Sequence, residues 1–325
     1  MQVFKRHLMA LAAAALCGSL VAGASHAAYP DKPVKVVIGY AAGSSTDIVG
    51  RLVAQGLSEM WKQPVVVETR AGAAGNIAAD AVAKSAADGY TLLFAQNGLA
   101  ISVAANPKLP FDGTKDLLPL AGVAATPHIL LVNSNAPFKS VGELLAQGKA
   151  APGKLTFGSS GVGNSDHMAG ELFKVLGGFQ ALHVPYKGGA PAATDVIGGQ
   201  LDFYFAGMPV GLPLYKSGRV RALAVTSSAR YAGAPELPTM QESAVKDYEM
   251  TLWQGVFVSA ATPPEVADFI SASIIKLLDD PATRERLTKA GAQLAPLARA
   301  RFVEMYLADI ARWKRIIPAA GIKLE

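Results

Sequence analysis

Cysteine is almost absent from this chain: among 325 residues the one thiol is Cys17. No intramolecular disulfide can form, so noncovalent packing must hold the fold. Charge is also sparse, at 17% of residues, against 51% hydrophobic. The 30 basic and 25 acidic residues give a net charge of +5 and are dispersed. A nucleic-acid footprint would need a clustered basic face, so none is expected. His128, His167 and His183 lack metal-ligand spacing, and no second thiol is available, so neither a metal nor a cofactor is expected. Beyond the leading segment no apolar run is long enough to span a bilayer, because PLAGVAATPHILLV is interrupted by Pro127 and His128. Nucleotide-binding signatures are missing too: the glycine-rich turns fit neither G-x-G-x-x-G nor G-x-x-x-x-G-K-[ST].

What is present begins with an address. Lys5, Arg6 and His7 precede the apolar run Leu8–Ala24, which exits through the small residues of SHAA. A basic start, an apolar middle and a small-residue exit predict a secretory signal at 1–27, cleaved after Ala27, and hence a periplasmic protein. Leu16 before Cys17 is a poor fit to lipoprotein processing. Removing Lys5 and Arg6 would leave 28 basic residues against 25 acidic ones.

Apolar patterning then alternates between strand and helix. VKVVIGY (34–40) reads as a strand, 46–62 as a helix, PVVVETR (64–70) as a strand, AAGNIAADAVAKSA as a helix and YTLLFAQ (90–96) as a strand. That order predicts a parallel sheet with helices on its faces. After Pro107, Pro110 and Pro119 the rhythm loosens, and HILLVNS (128–134) is the next strand expected. A second set follows: a helix after Ser140 with Glu143 as its capping-box partner, strands at 154–160, 181–186, 201–207 and 220–227, and helices at GNSDHMAGELFKVLG and 191–197. TLWQGVFVSA (251–260) reads as a long return strand, and the tail as three helices. Two α/β sets with the chain passing over and back predict two lobes: 28–130 with 250–325, and 131–249.

Four turns carry candidate chemistry, because ligands of open α/β sheets sit at the carboxyl ends of strands. In GYAAGSSTD, Tyr40, Ala42, Gly43, Ser44, Ser45 and Asp47 join a strand to a helix whose first N–H groups suit an anion. The plainer role is that Ser45 or Thr46 caps the helix and Asp47 complements its dipole. TRAGAAGN repeats the arrangement with Gly72, Ala74, Gly75 and Asn76, and Gln96 ends the third strand. In FGSSGVGNSDH, Ser159, Ser160 and Gly161 precede His167. A catalytic serine there would want glycine on both sides at a spacing of two, and Ser160 has Gly158 but Val162. His167 is expected to be a structural hydrogen-bonding group rather than a base, and the chain is not expected to be an enzyme. In HVPYKGG, Lys187 would either meet an anion or stand in solvent. Phe205 and Trp253 suit either a cleft wall or the core.

Together these segments, from VVIGYAAGSSTDIVGRLV through HVPYKGGAPAATDVIGGQLDFYFAG to LPTMQES, resemble the Bug family, the extracytoplasmic solute receptors of tripartite tricarboxylate transporters. The resemblance runs from about Tyr29 to the closing GIKLE. It implies an α/β, two-lobed periplasmic-binding-protein fold of the Venus-flytrap type, closing on a small carboxylate. It also implies transporter permease subunits as partners, with the receptor acting as a monomer. The first two turns would grip a carboxyl group through backbone donors and bridging waters. The opposite lobe would supply Ser159, Ser160 and Gly161, with the Leu201–Gly207 region nearby. Three positions depart from the family pattern: Ser44 stands where glycine is usual, Ala71 replaces proline and Ala74 replaces glycine. A ligand sensor feeding a signalling partner, and a serine hydrolase using Ser160 and His167, are the competing readings.

Overall fold

The structure, a computed structural model, describes residues 29–319, 321 and 322. The expected signal segment and Cys17 lie outside them. By internal contacts the described residues from Lys32 onward form one unit.

In chain order the first elements are β1 (Val34–Ile38), α1 (Ser45–Trp61), β2 (Val65–Thr69), α2 (Asn76–Ala83), β3 (Thr91–Gln96), α3 (Gly98–Ala105) and β4 (Leu117–Asn133). There follow α4 (Val141–Ala150), β5 (Leu155–Ser159), α5 (Ser165–Gly177), β6 (Ala181–Pro185), α6 (Gly189–Ile197), β7 (Phe203–Gly207), α7 (Met208–Lys216) and β8 (Val220–Val225). The chain ends with β9 (Thr251–Ser259), α8 (Pro264–Asp279), α9 (Pro281–Lys289), β10 (Leu294–Leu297) and α10 (Arg299–Ala319).

The strands run in the order β2-β1-β3-β9-β4-β7-β5-β6, with β8 and β10 also paired to β4. β1 is parallel to β2 and β3, and β5 is parallel to β6 and β7. β9 is antiparallel to both β3 and β4. Thus β4 belongs to both sets: Leu117–Pro127 pair with β9, and His128–Leu131 pair with β7. The expected strand at 128–134 is the second half of this longer one. Pro119 does not interrupt it, because the pairing shifts register beside it and bulged pairing tolerates proline; Pro127 stands where the pairing passes from β9 to β7.

Each set has its own core. Phe257, Phe302, Tyr306 and Trp253 pack with β1, β3 and α2 on the first. Phe157, Phe173, Phe203 and Phe205 pack on one face of the second, and Tyr204, Val196 and Leu201 on its other face. Helix α1 shows how local sequence makes such contacts. Val49, Val53 and Leu57 recur every four residues and are fully buried, and burial of each contributes roughly 1.5–3 kcal/mol. Its start is capped by Ser44, whose Oγ accepts the Asp47 N–H at 3.2 Å, so neither Ser45 nor Thr46 is the cap. Its end turns at Lys62 in the left-handed region (φ 56°). The Ser140–Glu143 capping pair forms as expected, with Ser140 Oγ accepting the Glu143 N–H. Among the described residues no helix is long and apolar enough to cross a membrane.

Candidate functional site

Turns at the carboxyl ends of β1, β2, β5 and β6 meet at two connected spaces. The inner one is a pocket of about 20 Å³ and the outer one a cavity of about 420 Å³. Tyr40 and Ser160 line both. The inner volume is room for about one water.

The inner pocket is defined by helix starts. Ser44, Ser45 and Thr46 bring the start of α1; Ser165 and Asp166 bring that of α5; Gly189 brings that of α6, and Gly207 caps α7. Helix N-termini leave backbone N–H groups without intrahelical acceptors and carry a partial positive charge. In α1 the Asp47 N–H is satisfied by the cap, which leaves Ser45 and Thr46 with uncommitted helical N–H groups. Close packing draws these ends together. A Cβ on Gly207 would lie 2.3 Å from Ser45 Oγ, so only glycine lets the end of β7 approach the first turn. A Cβ on Gly39 would lie 2.5 Å from Gly75 Cα. The bareness of the first turn therefore serves, in part, backbone packing between the first two turns.

Side chains complete the wall. The Tyr40 hydroxyl donates to the Ala74 carbonyl at 2.8 Å, tying the two turns together. Burial pushes the Tyr40 phenol well above its ordinary range, with a Gln96 hydrogen bond opposing it. Gln96 also accepts from the Thr46 hydroxyl at 3.1 Å. Opposite, the Ser160 N–H donates to Asp166 Oδ2 at 2.6 Å, and Asn164 Nδ2 donates to Ser160 Oγ at 3.1 Å. Burial lifts Asp166 to about 6, against hydrogen bonds from Ser160 and His167 that lower it. His128, from β4, places Nε2 3.0 Å from Ser165 Oγ, while its Nδ1 has no partner among the described residues. Burial holds His128 down at about 3, so it is neutral at ordinary pH.

The outer cavity is plainer. Ala41, Gly72, Ala73 and Ala74 line one side, and Gly161, Val162 and Asn164 another, with Tyr186 and Lys187 beside them. Its walls are small and largely apolar, with Lys187 as the one basic side chain.

The structure thus brings together Tyr40, Ser44, Ser45, Gln96 and Ser160 at the inner pocket, and Gly72, Ala74 and Gly161 at the outer cavity. Ala42, Gly43, Asp47, Gly75, Asn76, Ser159, His167 and Phe205 line neither. Asp47 instead accepts the Gly43 N–H at 2.9 Å and Arg51 Nε at 2.8 Å, fixing the loop from behind. Asn76 donates to Ser102 Oγ. Ser159 is fully buried, with Oγ 2.6 Å from His183 Nε2. His167 accepts the Gly163 N–H at Nδ1 and stacks on His183 at 3.9 Å. Phe205 is corrected to the core, stacked on Tyr248. Successive strand residues face opposite ways, and it is Tyr204 that lines the pocket.

A Ser160–His167 dyad is not assembled. Ser160 Oγ meets Asn164, and His167 Nδ1 is engaged by backbone. Of the two serine–histidine contacts among the described residues, the one at Ser159 is fully buried, and no described carboxylate orients His128 at Nδ1. Among the described residues no group of three His, Cys, Asp or Glu side chains forms a metal site.

Sequence reasoning missed His128, Asp166 and Tyr204. The signal for Asp166 was its place just inside a helix start. None marked His128, which reaches the site only because β4 crosses between the strand sets.

Comparison with known proteins agrees with this architecture. The family described as tripartite tricarboxylate transporter family receptor matches residues 49–322. Protein BugT of Bordetella pertussis is 35% identical over 300 residues, covering 91% of this chain and 92% of that one. Among solved structures, R. palustris Rpa4515 with adipate superposes with a TM-score of 0.87 at 32% identity, over 90% of this chain and 98% of that one. MatC from Rhodopseudomonas palustris, with bound malate, gives a TM-score of 0.84 at 28% identity, over 89% of this chain and all (100%) of that one. The chain belongs to the tripartite tricarboxylate transporter family of receptors, solute-binding proteins with the two-lobed α/β fold of periplasmic binding proteins.

Proposed function

We propose that this chain is a periplasmic receptor that captures a small carboxylate between its lobes and delivers it, as a monomer, to the permease of a tripartite tricarboxylate-type transporter. The observation that carries this reading is the convergence of four helix N-termini on one pocket that has no charged basic side chain in its wall. Backbone N–H groups and helix dipoles favour an anion there without a fixed cation. The ligand's carboxyl group would sit at the mouth between the two spaces, against Tyr40, Ser44, Ser45 and Ser160, with Gln96 behind. Its body would occupy the outer cavity, whose small walls suit a short aliphatic chain. Adipate in Rpa4515 and malate in MatC support that class.

The lobes, 28–130 with 250–325 against 131–249, would close by hinging where β4 passes from one strand set to the other and where the chain returns just before β9. Export would depend on the leading segment. The arrangement supports binding rather than turnover, because neither histidine that contacts a serine belongs to an oriented triad.

A thermal-shift survey of refolded protein against mono-, di- and tricarboxylates and their amides tests the reading. Acids should raise the melting temperature and the matching amides should not. Stabilisation by amides and acids alike, or by neither, would contradict it, as would hydrolysis of an ester panel that is lost in Ser160→Ala.

A further inference from the structure

The inner pocket contains a charge that conflicts with its proposed ligand. Asp166 is 4% exposed and lines the pocket opposite the first turn. Oδ2 accepts the Ser160 N–H at 2.6 Å and faces the Tyr204 hydroxyl at 3.4 Å, and Oδ1 accepts the His167 N–H at 2.9 Å. Among the described residues no cation compensates it. Tyr204 on β7 and Tyr40 in the first turn face it with neutral phenols whose pKa values its own charge raises further. His128 on β4 approaches through Ser165, and His167 adjoins it on α5 with His183 of β6 stacked behind. Burial holds His128 and His167 at about 3 and His183 at about 4, so all three are neutral near pH 7. Lys174 of α5 is engaged by Glu171 at 2.7 Å, and Lys187 belongs to the outer cavity.

A carboxylate held against Ser160 would lie beside the residue that contacts Asp166. Two carboxylates sharing a site of low dielectric do not both stay ionised. The Ser160 N–H, a donor the ligand would otherwise use, is already spent on Asp166. We propose that capture of a carboxylate ligand is coupled to protonation of Asp166, so that the neutral carboxyl admits the ligand's acid group and adds an O–H donor to the pocket wall. One proton is taken from solvent per ligand bound, and no bond other than that O–H is made. This rests on the carboxylate reading above and deepens it: the site selects anionic acids and rejects ligands that present a cation to Asp166.

The test is calorimetric titration of refolded protein with adipate from pH 6.5 to 8, in buffers of differing ionisation enthalpy. Free Asp166 titrates at about 6, so wild type should take up close to one proton per adipate. Its Kd should weaken by up to about tenfold per pH unit. Asp166→Asn should bind with a Kd flat in pH and, at pH 8, tighter than wild type. The variant also reports any proton adipate itself carries, so the difference between the two proteins is the measure. Should the variant not fold, weakening that continues to pH 8 decides, because carboxyls of adipate's kind are ionised well below that pH. Equal uptake in both proteins, or none in wild type, would overturn the coupling and leave carboxylate capture standing. Proton release, or loss of adipate binding at every pH in a folded Asp166→Asn, would show that binding needs the ionised Asp166 carboxylate and also overturn it. Failure of both adipate and malate to bind at any pH would remove the proposed function and the coupling together.

Discussion

The first and third strand–helix turns are built alike and charged differently. Each runs from a parallel strand through small residues into a helix, and each buries an aspartate in the helix's first turn: Asp47 in one, Asp166 in the other. Four residues on, Asp47 meets Arg51, whose Nε donates to it at 2.8 Å. Four residues on from Asp166 is Gly170, where a Cβ would lie 2.2 Å from the Phe157 ring. An aromatic core beneath α5 thus occupies the space where a partner would stand. Burial without a cation lifts Asp166, and the same aromatic neighbourhood holds His167 and His183 neutral. One turn is an electrostatically closed clamp; the other concentrates the groups able to titrate.

Acidification should expose this difference most strongly. His128, His167 and His183 have folded values below the unfolded value of about 6.5, so they contribute stability that is lost as pH falls below that value. Asp166 has the opposite sign: its folded value is raised, so its ionisation costs stability above about pH 4 and protonation relieves it. At pH 5 three histidines oppose one aspartate, for a net of about two protons, or about 2–3 kcal/mol lost per pH unit. Chemical denaturation at pH 6.5 and 5 measures the total, and amide exchange should show early opening around Ser159–His167 but not around Tyr40–Asp47. Uniform loosening, or loss at the first turn, would break the comparison.

Neutralising the two aspartates should act in opposite directions. At pH 7.5 Asp166→Asn should raise stability by about 1–3 kcal/mol, because it removes an uncompensated buried charge. Asp47→Asn should lower it by about 1–2 kcal/mol, because Arg51 and the Gly43 N–H lose an ionised acceptor. Urea unfolding of both variants decides. An Asp47→Asn protein that is equally stable, with unchanged ligand affinity, would deny the clamp any role for its charge.

Caps give the smallest effect. Ser44→Ala removes the side-chain acceptor of the Asp47 N–H and should cost about 1 kcal/mol. Asn164, at the start of α5, makes no side-chain cap bond. Asn164→Ala should cost about 0.5–1 kcal/mol through its bond to Ser160 instead. Thermal melts at one pH rank the two.

Much of this architecture was readable in advance, and the failures have physical causes. Alternating apolar periods gave β1–α1–β2–α2–β3 and the second parallel set, because each element buries one regular face. β4 reads as half its length because Pro119 and Pro127 look like breaks, whereas a register shift accommodates the first and the second falls where the pairing passes from β9 to β7. The helices at Gly98–Ala105 and Met208–Lys216 were missed: the first is apolar on all sides and the second contains Pro209 and Pro213. At the site, Tyr40, Ser44, Ser45 and Ser160 were legible from the strand–turn–helix pattern. The choice between Tyr204 and Phe205 is not, because period two tells that neighbours diverge but not which one reaches the pocket. His128 was illegible for a different reason: only the long β4 places it beside Ser165.

The measurement that tests the central claim most directly is calorimetric titration, at pH 6.5, of unfolded and refolded protein with adipate and with its diamide. The account predicts a saturating one-to-one heat for the acid and none for the amide, since helix N-termini recognise the anion. Equal heats for both, or silence for the acid and for malate as well, would contradict it.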